Sequence, residues 1–393
     1  MEIQRTKNLT VSIERLTDSS GHQFYGYYDN AAWSGDDRYH LYHKVKFWDR
    51  LQEENDMSEL GMIDVATKRY IPIAETYAWN FQQGAMLQWH PLAPKDEIIF
   101  NTRSNDKFYG VVMNVHTKEQ RLLEEPVVNV DPTGKYALSV NFSRMFDFRP
   151  GYGYAGIKDP YYNEPHPDED GIIRIELSTG KSERILSLQQ IWNFTKDAFQ
   201  GTDQKIMINH INFNTDGTRF VCLVRNFPLG AGWKTAILTA NPDGSEMFLL
   251  SDYSYASHYH WRDSEHLVIY SRGVEGSDAG NQLYELKDRT HEVTAIDKAF
   301  FLKDGHCSYS PDRKLLLYDS YPDEFSYRHL YLYDLIQKRG VTLGSLYSYP
   351  NIDGDFRSDL HPRWNRAGTA FSIDSTHEGQ RHMYKVDIKD VFK

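Results

Sequence analysis

Four histidines occupy one position in four successive copies of an internal repeat: His210 in INHINFNTDGTRF, His258 in SHYHWRDSEHLV, His306 in GHCSYSPDRKLLL and His361 in LHPRWNRAGTAF. Neutral imidazole is the commonest protein ligand for transition metals and a general base near pH 7. Asp359 stands two residues ahead of His361 in RSDLHPRW, so on an extended segment the two side chains face the same way and can address one ion. An aspartate with two or three histidines forms an N/O site suited to Mn, Fe or Zn. Arginines recur beside the histidines. Arg225 and Arg272 follow the histidine of their own copies by 15 and 14 residues, and Arg103 follows Met86, at the same place in an earlier copy, by 17. A guanidinium fork recognises carboxylate or phosphate. The plainer alternatives are a surface loop for each arginine and an exposed turn for Asp359.

These residues converge only if the repeat closes on itself. An aromatic residue follows each histidine by three positions (Phe213, Trp261, Tyr309, Trp364), then comes a polar turn and a short apolar strand. The histidines are 48, 48 and 55 residues apart, and strand-rich units of about 40–50 residues point to a β-propeller. The same phrase occurs earlier with Asn30, Met86 and Val127 at the histidine position, which makes seven units. Most units carry a second hairpin with Thr-Gly, Asp-Gly or Asp-Arg at its turn, as in IIRIELSTGKSERIL and AILTANPDGSEMFLL. The last unit, ending MYKVDIKDVFK, lacks its outer strand, and NLTVSIERL near the amino end alternates correctly to supply it. The expectation is an all-β fold: a seven-bladed propeller of four-stranded blades, one domain over residues 1–393, closed by an N-terminal strand in the last blade.

The longest departure from the repeat, residues 141–171, is rich in Tyr, Gly, Pro and acids and carries Arg149, Tyr152 and Tyr154. A loop of this length in a compact domain is usually functional, and an active-site insertion is expected here. Lys46 to Leu60 forms a second, charged insertion, and Ser187 to Lys205 has room for a short helix. The net charge of −11 disfavours nucleic acid as a partner. Cys222 and Cys307 are two cysteines in strand-like sequence, read as buried thiols rather than a disulfide. No apolar run reaches signal-peptide or membrane-span length, so a cytoplasmic location without membrane association is expected. Oligomeric state is not legible.

A histidine at the start of an inner strand can simply staple one blade to the next. Three of the seven copies do without it, however, and the four histidines fall on one arc, which favours a site on one side of the axial funnel. The final copy, DLHPRWNRAGTAFSIDSTHEGQRHMYKVDI, resembles the carboxy-terminal blade of the bacterial oligogalacturonate lyases, where a His-Pro-His-Pro segment precedes a Phe-Glu-Gly turn and a tyrosine-rich strand. The phrases around His210, His258 and His306 resemble that family's preceding blades, and TolB-type propellers share the repeat without the histidine ring. The resemblance covers roughly the last half of the chain. It implies a cytoplasmic seven-bladed propeller that splits short uronate oligomers by β-elimination with a Mn-type ion. His306 and His361 match metal ligands, the family's other last-blade histidine falls at Asp359, and its glutamine falls near Phe356. His258 and Arg225 fall near the base-side residues.

The expected parts are therefore a divalent ion (Mn first, with Zn, Ca or Fe as alternatives) on His306, His361 and Asp359. His258 or His210 serves as base, with Arg225 beside them, and Arg272, Arg103, Arg149, Tyr152 and Tyr154 bind an acidic oligosaccharide. Two other readings stay open: a glycoside hydrolase or other glycan-processing enzyme, and a non-catalytic propeller that binds a glycan or protein.

Overall fold

The computed structural model describes residues 4–104, 106–199, 203–227, 233–272, 280–389 and 391–392. Among them are seven antiparallel sheets arranged in chain order, the seven blades of a propeller. Blade one comprises His22–Phe24, Tyr39–Val45, Ser58–Asp64 and Arg69–Thr76. Blade four, Ile206–Phe213 through Phe220–Asn226 and Thr235–Ala240 to Phe248–Ser254, shows why the sequence folds this way. Its two middle strands are buried at every residue because each lies between neighbouring blades, so they read as continuous apolar runs. Outer strands such as Arg69–Thr76 carry mixed polar faces because only one side is covered.

The ring closes as expected and with one addition. Ile13–Arg15 pairs with His382–Asp387, with Ile13 opposite Val386 and Arg15 opposite Tyr384, and completes the last blade. Thr6–Lys7 also pairs with Arg339–Tyr347, so the sixth blade has five strands rather than the expected four. The amino-terminal segment thus runs over blade six, blade seven and into blade one, and covers two sheet edges.

In blades two, five and seven a tryptophan at the aromatic position, three residues after the ring position, staples the blade to its neighbour. The indole N–H of Trp89 donates to Ala32 O (3.2 Å), that of Trp261 to Asn212 O (3.4 Å) and that of Trp364 to Ser308 O (3.2 Å). Each bond reaches the inner segment of the preceding blade. The histidines are therefore not needed for this purpose.

The 141–171 insertion is ordered by polar contacts. Helix Phe142–Phe148 is capped by the Asn141 side chain, which accepts from Arg144 N. Arg144 is buried, pairs with Asp159 at 3.2 Å, and donates to the carbonyls of Ile206, Glu164 and Pro165. Gln52, in the second insertion, donates to Pro150 O (2.8 Å), which ties the stretch after the helix to that insertion. The anticipated short helix in the third irregular stretch is Leu188–Thr195, with a Ser187/Gln190 capping box; residues 200–202 of that stretch lie outside the described residues. Cys222 and Cys307 are buried free thiols.

Candidate active site

The four repeat histidines form one contiguous arc. Ring centroids are 6.0 Å apart for His210 and His258, 4.0 Å for His258 and His306, and 4.2 Å for His306 and His361. The local backbone explains how they are aimed. His210 (φ +47°) and His361 (φ +45°) adopt the left-handed conformation, as does Met86 (φ +52°) at the same position of blade two. In blades four and five the ladder slips at this point, between Asn209 and Ile211 and between Ala256 and Tyr259. Such bulges turn a side chain out of the alternating pattern, here toward the axis. Tyr27 and Tyr28 supply the centre: Tyr27 stacks on His210 at 4.9 Å, and Tyr28 lies 5.3 Å from His306.

His306, Asp359 and His361 each offer a donor atom, and these atoms lie within 4.8 Å of one another. Asp319 holds His306: its oxygens lie 2.9 and 3.0 Å from Nδ1, and Oδ1 accepts from the backbone N–H of His306 at 2.6 Å. Oδ2 of the same carboxylate accepts from His361 N at 3.1 Å. Arg328 and Arg357 approach Asp359 at 2.6 and 2.8 Å, but off the hydrogen-bonding directions. Both Asp359 oxygens and the Nε2 atoms of His306 and His361 are therefore buried without a hydrogen-bond partner among the described residues. Burial opposes ionisation of Asp359, yet the Arg357 and Arg328 charges outweigh it and hold the carboxyl well below the usual range. Burial, then the His306 ring, pushes His361 well below the usual imidazole value and leaves its lone pair free near pH 7.

This donor set fits a divalent transition ion. It has two imidazole nitrogens without a hydrogen-bond partner, a carboxylate kept ionised by two arginines, and a second carboxylate fixing one ring from behind. It fits Ca poorly, because Ca takes six to eight oxygen ligands. Phe356, near the place of the family's glutamine, offers no ligand atom.

Beside the triad lies a cavity of about 410 Å3 lined by Arg149, His210, Arg225, Trp233, Tyr255, His258 and Tyr321, among others. Burial, then repulsion from Arg149, pulls Arg225 down to about 10, so it remains a cation at neutral pH. The Arg149 and Arg225 guanidiniums lie 4.2 and 5.4 Å from the Trp233 ring. The pKa of His258 is pushed down to about 4, by burial first and then by His306, against the pull of Asp304. Its Nδ1 lies 2.9 Å from Ser257 Oγ and 3.4 Å from Asp304 Oδ1, and the Tyr255 hydroxyl donates to the other Asp304 oxygen. His210 Nε2 is 3.3 Å from the Tyr27 hydroxyl, and burial holds this ring well below the ordinary value.

Of the residues expected at the site, the fold brings together His210, His258, His306, His361, Asp359, Arg225, Arg149 and Tyr152. The Tyr152 hydroxyl accepts from Arg357 at 3.1 Å, and its ring meets that of His210 edge-on at 5.4 Å. Three others stand elsewhere. Tyr154 stacks on Phe142 at 4.1 Å, and its hydroxyl accepts from Asn101, so it is a core residue under the insertion. Arg103 donates to Ala155 O and Glu54 O and ties the two insertions together. Arg272 ends its strand exposed, outside the cavity lining.

Sequence reasoning missed Asp319, Asp304, Arg328, Arg357, Tyr27 and Tyr28. Four left a trace. Asp319 opens the acidic DSYPDEF segment where other copies place arginine, and Arg357 stands two residues before Asp359, on the same face of an extended chain. Asp304 and Tyr28 stand two residues before His306 and Asn30, the register of Asp359 before His361, whereas Tyr27 and Arg328 left no such mark.

No protein-family model and no curated protein matches the sequence. Among solved structures, an oligogalacturonate lyase in complex with manganese matches with TM-score 0.69 at 13% identity, over 99% of this chain and 96% of that one. The oligogalacturonate lyase of Vibrio parahaemolyticus matches with TM-score 0.69 and 13% identity, over 99% of this chain and 97% of its own. TolB from Acinetobacter baumannii matches at TM-score 0.40 with 14% identity, over 89% of this chain and 80% of its own. At such identities likeness speaks for the fold alone: the chain has the seven-bladed propeller architecture of the oligogalacturonate lyases.

Proposed function

We propose that the histidine arc is the catalytic centre of a metal-assisted lyase that cleaves a uronic-acid-containing oligosaccharide by β-elimination. One observation carries the reading: the partnerless Nε2 atoms of His306 and His361 and the buried, ion-paired carboxylate of Asp359 converge beside a cavity lined by two arginines and two histidines whose pKa values burial lowers. Elimination needs the acidity of C5 raised through its carboxylate, a base for the C5 proton, and departure of the C4 oxygen. His306, Asp359 and His361 would hold a divalent ion of the Mn, Fe or Zn type, which when bound would supply positive charge to the substrate carboxylate.

The chain's own residues do the rest. Arg225 and Arg149 bind and orient carboxylates, with Trp233 offering a flat face to the sugar. His258, neutral at pH 7, takes the C5 proton on Nε2, while Asp304 and Ser257 hold Nδ1 and so fix the ring. His210, next along the arc, is a second candidate base. Tyr321, on the cavity wall, returns a proton to the leaving oxygen, while the Tyr255 hydroxyl serves to hold Asp304.

The shared fold with lyases, one of them solved with manganese, supports this reading. So does the cavity wall, which among the described residues includes no Asp or Glu. Hydrolysis by the common route needs two carboxyl groups across the scissile bond. Ultraviolet absorbance of a new C4=C5 bond on incubation with uronate oligomers tests the proposal, and cleavage without that absorbance rejects elimination.

A further inference from the structure

Blade one reaches into the histidine arc from the opposite side of the ring. Three consecutive residues just ahead of its ring position, Tyr27, Tyr28 and Asp29, each bond to blade four or blade five. The Tyr27 ring stacks on that of His210, and its hydroxyl lies 3.3 Å from His210 Nε2. Asp29 Oδ2 accepts from Asn212 Nδ2. The Tyr28 hydroxyl accepts from Tyr259 N at 3.1 Å and donates to Tyr259 O at 2.6 Å, as a neighbouring strand would. Tyr259 in turn sends its hydroxyl from blade five to blade four, where it donates to His210 O and lies 2.9 Å from Asn212 Oδ1.

His210 needs such a hold. It is the extra residue of the bulge between Asn209 and Ile211, so it has no opposite number in the strand ladder, and its φ is +47°. A left-handed residue other than glycine persists only where its surroundings fix it. The residue that follows the next blade's ring histidine supplies the fixing group twice. Tyr259 does so for His210, and Cys307, whose thiol lies 3.7 Å from His258 O, does so for His258. A thiol is a weak donor. In blade seven the place falls to Pro362, which has none, and His306 O accepts from Asp319 N instead (3.2 Å). Burial pushes the Tyr28 and Tyr259 phenols well above their ordinary value, so both stay protonated donors at neutral pH. We infer that Tyr28 and Tyr259 are positioning residues for His210: their hydroxyls, in series, hold its backbone while Tyr27 holds its ring, so one segment of blade one grips it at both ends. The effect on turnover rests on the lyase reading, whereas the hold on His210 stands without it.

Nitrogen NMR of the full-length protein, isotope-labelled at histidine only, tests this, with the His210 signals assigned by their absence from His210→Gln. The expected result is that Tyr259→Phe, which removes one oxygen, shifts the His210 signals and leaves in place those of His377 and His382, which stand outside the arc. Tyr28→Phe should shift the same signals, and it decides the matter if Tyr259→Phe fails to fold. On uronate oligomers both variants should lower kcat by about tenfold or more with KM within about twofold of the original, the mark of a misplaced group rather than of lost binding. Mn affinity should hold, because Asp319 fixes His306 and His361 separately. His210 signals unmoved in both variants, equal movement at His377 and His382, or an unchanged kcat in an active protein overturns the proposal. An inactive wild-type protein would count against the lyase reading alone, since the NMR comparison still decides the hold on His210.

Discussion

Asp319 joins two ring histidines at once: one oxygen lies 2.9 Å from His306 Nδ1, and the other accepts the backbone N–H of His361 at 3.1 Å. One carboxylate thus sets the tautomer of the first ring and the backbone from which the second projects. A carboxylate behind a ligating imidazole typically accounts for 10–100-fold in metal affinity. Asp319→Ala should therefore weaken Mn binding by about that factor with the blades intact, as read by titration calorimetry and circular dichroism. Unchanged affinity would mean that the triad is not an ion site.

Arg225 and Arg272 separate the arginine positions of the repeat by role. Arg225 is buried beside the histidine cavity, whereas Arg272 is exposed. Lysine cannot reproduce the bidentate fork. Arg225→Lys should raise KM for an acidic oligomer by about tenfold, a loss of roughly 1.4 kcal/mol of binding, while Arg272→Ala changes neither KM nor kcat. Equal effects of the two substitutions would contradict the placement.

Acid should loosen the fold before its carboxylates protonate. Burial pushes His40 and His43 down to about 3, and His377 and His382 down to about 4. Unfolded histidine titrates near 6.5, so below that pH the unfolded chain takes up protons that the folded chain refuses. The stability these rings contribute is fully present above pH ~6.5 and falls as pH drops toward 4, by about 1.4 kcal/mol per pH unit for each histidine. Urea midpoints measured between about pH 7 and pH 4.5 should fall steadily. A flat profile would show that these rings are not buried neutral.

Removing the first 17 residues takes away both Thr6–Lys7 and Ile13–Arg15. The edges of Arg339–Tyr347 and His382–Asp387 are then left open for pairing with other chains. Size-exclusion chromatography should show self-association and a lower Tm; a monomer of unchanged Tm would show that closure contributes little.

The repeat made the blade count, the ring position and the closing strand legible, because each blade must solve the same packing problem with the same pattern. Asn209–Ile211 shows the limit: a bulge aims His210, yet neither neighbour carries glycine or proline to announce it. Tyr154 was misplaced because an aromatic residue in an insertion has no register, and burial against Phe142 decided its position. Arg328 was invisible for another reason, since it meets Asp359 only after blades six and seven come together. The second strand pairing, Thr6–Lys7, is too short to leave a pattern.

The central claim is most directly tested by incubating the Mn-loaded protein with uronate oligomers and with their carboxyl-reduced counterparts, following ultraviolet absorbance. The account predicts rising absorbance with the acidic oligomers only, abolished in His306→Ala and His361→Ala together with metal. In His258→Ala, which retains the metal, the rate should be lower by about 10²–10⁴. Equal cleavage of the reduced oligomers, cleavage without new absorbance, or full activity in His306→Ala would contradict it.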